Sequence, residues 1–272
     1  MKIILFVISI ILVFISIYFI HKYSKHISNE YFGENILSMK TYIINLDKNT
    51  ERWNLIKDNY YKTDLATVPM ERFSAIDGKK VDITKWLNEN GISELKQVEK
   101  DGYRTKHYQT TRGGIGCFLS HLTVAQKLVD DTKNSIYLVL EDDAIIPEVT
   151  LKNIKYTLQT APSENWDFIL LGTHRIKGVS ENEFIKVSAF WGLFGYLVNK
   201  KGAQKLINFV NEDKIDAQID SYMAALSQQS KLNIYSTKDA IIYNNGDNTT
   251  DIQMPLIQMR GEDPYIYKNY RV

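Results

Sequence analysis

Ile136-Tyr137-Leu138-Val139-Leu140 runs without a break into Glu141-Asp142-Asp143 and then Ala144-Ile145-Ile146. Five consecutive apolar residues fit a strand covered on both faces, as in sheets with helices on either side. The three acids stand at the carboxyl end of that strand, the end at which open α/β sheets receive ligands. Alternation along a strand sends Glu141 and Asp143 one way and Asp142 the other. Adjacent carboxylates repel one another unless a cation offsets their charge. Oxygen donors with no Cys or His beside them suit Mg²⁺ or Mn²⁺, the shell being completed by an anionic substrate such as a diphosphate. A solvated acidic turn capping the next helix is the alternative these residues leave open.

Working outward, the pattern stays α/β. Thr41-Tyr42-Ile43-Ile44-Asn45-Leu46 predicts a strand, followed by a helix with Trp53, Ile56 and Tyr60 on one face. Glu71 to Ile76 predicts a second strand, closed by the turn Asp77-Gly78. Residues 95–112 are polar and aperiodic and predict a mobile loop. Gly116 to Val129 carries Leu119, Leu122, Ala125 and Leu128 at helical spacing. Further strands are predicted at 166–171, 190–198, 232–235 and 241–243, with helices at 200–210 and 215–226. Strands alternating with helices imply a layered α/β domain over residues 41–272, with helices on both faces of the sheet.

The chain has 272 residues, 33 of them Lys or Arg and 32 Asp or Glu, and the resulting net charge of +1 lacks the basic excess of a nucleic-acid binder. A single cysteine, Cys117, excludes an intrachain disulfide and any cysteine-built zinc or iron–sulfur cluster. Ile3 to Ile20 is uncharged and interrupted only by Ser9 and Ser16. At roughly 1.5 Å per residue it reaches about 27 Å, which predicts a retained single-pass membrane anchor over residues 1–23 and a polar stem over 24–40. Lys22 and Lys25 after the span favour a cytosolic domain, whereas the sequon Asn248-Thr249-Thr250 favours the lumenal side, so topology stays open.

Other segments carry candidate chemistry. Arg112 precedes Gly113-Gly114-Ile115-Gly116 at the start of a predicted helix, where bare amides can receive phosphate, although neither a dinucleotide nor a P-loop pattern is present. Cys117 and His121 are four apart on one helical face; a buried thiol beside a hydrogen-bonded histidine is the plainer reading, a metal or nucleophile–base pair the sharper one. Phe190 to Tyr196 alternates rings with glycines and suits either a sugar platform or the core. Asp216 and Asp220 are also four apart at a predicted helix start, one positioned to take a proton from a hydroxyl and the other to cap the helix.

Six of these stretches, in order, resemble glycosyltransferase family 25, which includes lipooligosaccharide and procollagen galactosyltransferases: YIINLDKNTERW, RFSAIDGK, GGIGCFLSHLTVAQKL, YLVLEDDAII, FWGLFGYLVNKKGAQKL and IDAQIDSYMAAL. The resemblance implies a GT-A fold, a UDP-hexose donor and transfer with inversion. It implies that Glu141-Asp142-Asp143 fills the family's metal site, with Asp143 on Mn²⁺ or Mg²⁺ and Glu141 holding ribose or a metal-bound water. Asn45 and Arg52 fall in a motif that faces the nucleotide, and Asp216 or Asp220 is left as base. A glycan, a lipid-linked saccharide and a collagen-like hydroxylysine are the acceptors implied. The alternative is a catalytically silent UDP- or sugar-binding protein on the same scaffold; a phosphohydrolase is disfavoured because Glu141 stands where its nucleophilic Asp would be. The loop at 95–112 is expected to close over the donor.

Overall fold

The computed structural model describes residues 38–162, 165–244 and 254–257, together with Ser16 and Tyr18. In chain order come β1 (Met39–Asn45), α1 (Thr50–Tyr61), β2 (Met70–Ser74), α2 (Glu89–Asp101), α3 (Arg112–Asp130), β3 (Ile136–Glu141) and β4 (Ala144–Ile145). These are followed by α4 (Thr150–Thr160), β5 (Phe168–Gly172), β6 (Arg175–Glu181), β7 (Phe184–Trp191) and β8 (Gly195–Asn199). The remaining elements are α5 (Lys200–Asp213), α6 (Ile219–Gln228), β9 (Ile234–Thr237) and β10 (Tyr243–Asn244).

Eight strands form one mixed sheet in the order β2-β1-β3-β8-β5-β9-β7-β6. β2, β1 and β3 are parallel neighbours, with Ile43 level with both Arg72 and Leu140, and β8 runs antiparallel to β3. Their shared direction brings the ends of three strands, at Asn45, Ser74 and Glu141, to one rim of the sheet.

Side-chain alternation divides the core in two. Tyr42, Ile44, Tyr137, Val139, Phe168 and Leu170 face a layer containing Leu95 of α2, Phe118 of α3, Leu206 of α5 and Tyr222 of α6. Ile43, Leu138, Leu140, Ile169 and Leu171 face Ile56 and Tyr60 of α1 and Ile154 and Leu158 of α4. Helices therefore cover both faces, which is why β3 reads as an unbroken apolar run. Leu138 and Leu140 are fully buried, each worth about 2 kcal/mol in apolar area removed from water.

Four expectations need correction. Residues 95–112 are not a mobile loop. Their first part belongs to α2, whose amino end is capped by Asn88 Oδ1 accepting from the Gly91 amide (3.0 Å) and whose carboxyl end stops at Gly102, φ 77°. The rest is pinned by buried polar groups: the Arg104 amide donates to the Pro255 carbonyl (2.7 Å), its guanidinium to the His107 carbonyl (2.9 Å), and Gln218 Nε2 to the Gln109 carbonyl (3.0 Å). Arg104, Thr110 and Thr111 are buried, so a hydropathy pattern registers as exposed a segment that hydrogen bonds hold inside.

Second, 190–198 is not one strand. It breaks at Gly192, φ +80°, and the link carries the chain from β7 at one side of the sheet to β8 beside β3. Third, the 241–243 segment does not close the main sheet; β10 pairs with β4 in a separate two-stranded ladder. Fourth, Asp216 caps no helix, because α6 begins at Ile219 with Gln218 in the cap position. The sequon and all of the expected membrane anchor except Ser16 and Tyr18 lie outside the described residues; among those described, no helix is long and apolar enough to cross a membrane.

Candidate active site

The rim formed by β1, β2 and β3 opens onto a cleft of about 800 Å³, counted out to its mouth. The cleft is lined by Glu141, Asp142 and Asp143 at the end of β3, by Lys48 and Arg52 after β1, and by the Asp77-Gly78-Lys79 turn after β2. The amino-terminal part of α3 supplies Gly113, Cys117 and His121.

The glycines of the GGIG segment bring that helix in. A Cβ on Gly116 would stand 2.4 Å from the Ile76 carbonyl oxygen and 2.5 Å from the Gly78 amide, and one on Gly78 would overlap the Arg112 carbonyl at 1.8 Å. Ser120 Oγ closes the clasp, accepting from the Ile76 amide (2.8 Å) and donating to the Gly116 carbonyl (2.7 Å). The glycines thus serve backbone-to-backbone packing. The Gly114 amide donates to Thr111 Oγ1 (2.9 Å), and Arg112 pairs with Glu99 (2.6 Å), so these two candidates for phosphate binding are engaged elsewhere.

Asp142 is held rigidly. Asn45 Nδ2 donates to its Oδ2 at 2.7 Å and Arg52 Nη1 lies 3.3 Å from its Oδ1. Arg72 orients Asn45 in turn, donating through Nε to its Oδ1 (2.9 Å) while its guanidinium lies over the Trp53 ring. Burial raises the Asp142 carboxyl above its ordinary range; the Asn45 bond and the Arg52 charge oppose that, and Asp143 adds to it.

Glu141 is turned the other way, toward α3. Its Oε1 lies 3.2 Å from His121 Nε2, and His121 Nδ1 lies 2.9 Å from the Tyr196 hydroxyl on β8. Burial drives Glu141 well above the normal carboxylate range, and the charges of Asp143, Asp142 and Asp220 push the same way. His121 is pushed down to about 3 by burial, and is neutral at physiological pH. Asp143 presents a buried Oδ1 that no hydrogen-bond donor reaches. A buried, unpartnered carboxylate oxygen beside two mutually repelling acids fits a hard divalent cation at Asp143 and Glu141.

The tertiary structure also revises the view that no Cys or His stands near the acids. Cys117, His121 and Glu141 offer ligand atoms that all lie within 4.8 Å of one another. Lys48 and Lys79 are further cleft residues absent from the sequence-based candidates. Their signal was position: each follows the carboxyl end of a strand parallel to β3.

The two downstream acids separate. Asp220, buried in the first turn of α6, accepts from the Gly192 amide through Oδ2 (2.9 Å) and from the Ser221 amide through Oδ1 (2.7 Å). His107 Nε2 is 3.8 Å from the same Oδ2, and burial lowers the His107 pKa against the raising influence of Asp220. Asp216 lies beside Gly91 of α2, and neither Asp216 nor Asp220 is among the residues lining the cleft. Phe190, Trp191, Phe194 and Tyr196 are buried in the core.

Residues 38–223 match the family model described as Glycosyltransferase family 25 (LPS biosynthesis protein). A Glycosyltransferase 25 family member of Aedes aegypti is 31% identical over 192 residues, covering 67% of this chain and 30% of that protein. Procollagen galactosyltransferase 1-B of Xenopus laevis is 28% identical over 214 residues, covering 73% of this chain and 32% of that protein. The chain thus spans about a third of the length of these curated relatives. A glycosyltransferase involved in glycosylating the major capsid of PBCV-1 aligns with a TM-score of 0.37 at 8% identity, over 78% of this chain and 94% of that one, too distant to bear on function.

Proposed function

The chain belongs to glycosyltransferase family 25, and from that premise we propose that it moves a hexose, galactose or glucose, from a UDP-sugar to a hydroxyl of a glycan, lipid-linked saccharide or collagen-like hydroxylysine acceptor. The carrying observation is the buried, unpartnered Asp143 Oδ1 near Glu141 in the lining of the cleft. In this reading the scaffold is of the GT-A kind and transfer proceeds with inversion at the anomeric carbon. We propose further that residues 1–23 anchor the protein in a membrane.

Asp143 and Glu141 would hold Mn²⁺ or Mg²⁺, which supplies charge stabilisation to the departing diphosphate. Arg52 and Asn45 hold Asp142, which leaves Glu141 and Asp143 as the acids assigned to the ion in this reading. Lys48 and Lys79, both lining the cleft, would add positive charge for the diphosphate. The acceptor oxygen bonds to the anomeric carbon as the bond from that carbon to the diphosphate oxygen breaks, and the hydroxyl proton passes to a carboxylate. Of the two downstream acids we assign this role to Asp220, which is held on α6 3.8 Å from His107 Nε2 and stands behind the lining of the cleft.

The test is UDP release and sugar transfer from UDP-galactose and UDP-glucose with and without Mn²⁺. Activity lost on adding EDTA and in Asp143→Ala is expected. Activity untouched by both refutes the metal role. The second reading, a silent UDP-binding protein, draws on Asp220 having both oxygens already engaged by Gly192 and Ser221. Calorimetric UDP binding with no turnover of any UDP-hexose would favour it.

A further inference from the structure

Cys117 and His121, one turn apart on α3, meet Glu141 at the end of β3 through the tertiary fold, and all three line the cleft. Their donors are a thiol sulfur, an imidazole nitrogen and a carboxylate oxygen, a set that Zn²⁺ accepts and Mn²⁺ or Mg²⁺ does not favour. We propose that these three residues form a site for a thiophilic divalent cation, Zn²⁺ or Co²⁺, with a fourth position open to the cleft.

The geometry is close to what such an ion needs. A tetrahedral ion with bonds of about 2.0–2.2 Å to nitrogen and oxygen separates those two donors by roughly 3.3 Å. His121 Nε2 and Glu141 Oε1 are 3.2 Å apart. Cys117 Sγ lies within 4.8 Å of a ring nitrogen of His121 and a carboxylate oxygen of Glu141, and bonds of about 2.3 and 2.1 Å to a tetrahedral ion would draw it to roughly 3.6 Å from each. The imidazole is already oriented: the Tyr196 hydroxyl, 2.9 Å from Nδ1, leaves Nε2 as the nitrogen presented to the ion, the outer-shell arrangement usual for metal-binding histidines. His121 and Tyr196 are almost wholly buried, so both rings are fixed by packing.

Glu141 would be shared with the hard-cation corner at Asp143. Zn²⁺ and Mn²⁺ therefore exclude one another, and Zn²⁺ inhibits transfer. That competition rests on the manganese reading above; binding of the thiophilic ion does not.

The experiment uses the full chain with neither donor nor acceptor. Zn²⁺ affinity is measured by competition with a chromophoric chelator, and Co²⁺ is added as a spectroscopic probe. A thiolate-to-cobalt charge-transfer band is expected, together with protection of Cys117 from a thiol reagent by Zn²⁺. Cys117→Ser should remove the band and weaken Zn²⁺ by tenfold or more, while circular dichroism reports that the variant is folded. Tyr196→Phe, which keeps the buried ring, should weaken Zn²⁺ by about tenfold through the loosened His121, the usual scale for an outer-shell loss. Mn²⁺ binding, followed separately by electron paramagnetic resonance, should fall on adding Zn²⁺ to the wild type. A Co²⁺ band or Zn²⁺ affinity unchanged by both substitutions overturns the site. Zn²⁺ binding that leaves Mn²⁺ in place overturns only the sharing of Glu141.

Discussion

Replacing Gly116 by Ala separates a packing role from a phosphate-binding role for the GGIG segment. The added methyl would lie 2.4 Å from the Ile76 oxygen and 2.5 Å from the Gly78 amide, about 1 Å inside ordinary contact, and both obstacles are backbone. The 75–80 turn has to retreat. That breaks the 2.8 Å bond from the Ile76 amide to Ser120 Oγ, about 1 kcal/mol, and adds overpacking strain of about 1–3 kcal/mol. Ala gains about 1 kcal/mol in helix propensity over Gly, so the net loss is about 1–3 kcal/mol. Gly114→Ala is the internal control. Its methyl would sit 3.1 Å from Thr111 Oγ1 and 3.5 Å from Gln218, so its stability should stay within about 1 kcal/mol of wild type. Urea denaturation followed by tryptophan fluorescence reads the difference; a 2 kcal/mol loss at a slope near 2 kcal/mol/M moves the midpoint by roughly 1 M. Because Asp77, Gly78 and Lys79 line the cleft, UDP affinity in Gly116→Ala should also fall by about tenfold. A Gly116→Ala protein as stable as wild type would refute the clasp. So would Gly114→Ala being the more damaged of the two.

Asp131 accepts from Asn134 Nδ2 (2.7 Å), from the amides of Asn134 (3.0 Å) and Lys133 (2.7 Å) and from the Tyr137 hydroxyl (2.7 Å), tying the end of α3 to β3. Burial works to raise its carboxyl, but these bonds win and hold it well below the usual range. A depressed folded-state pKa contributes stability that is complete above the unfolded value near 4 and drains away as pH falls below it. The acid limb of a stability–pH profile should therefore flatten in Asp131→Asn. Lys205→Met should cost about 3 kcal/mol in thermal or urea denaturation, because it strips the 2.6 Å partner from Asp167, which is fully buried. Arg52→Ala leaves Asp142 with Asn45 alone; UDP-sugar turnover should drop while the denaturation midpoint moves by less than about 1 kcal/mol, the size of a part-exposed pair. Asp220→Asn should lower kcat by a hundredfold or more with KM for the donor little changed, the signature of a lost proton acceptor.

Much of this was legible in one dimension, for a local reason. A strand covered on both faces must be continuously apolar, so 136–140 declares its place in the sheet, and the acids after Leu140 inherit the ligand-binding rim from it. The order of the six motifs likewise declares the family. The 103–111 segment was illegible by the same logic. Its interior groups are Arg104, His107, Gln109 and Thr110, and hydropathy cannot distinguish a polar residue satisfied inside from one in water.

What the tertiary structure alone decided is which distant residues meet. Glu141 finds His121, and His121 finds Tyr196, because α3 and β8 both pack against β3 at its acidic end. Gly78 and Gly116 look like ordinary turn and helix-entry residues until their backbones are seen to touch. Asp216 and Asp220 share a spacing, yet Asp220 lies within the helix and Asp216 precedes it. Periodicity along a chain encodes which way a side chain points; the partner it meets depends on the packing of whole helices across a sheet, a relation that no local pattern carries.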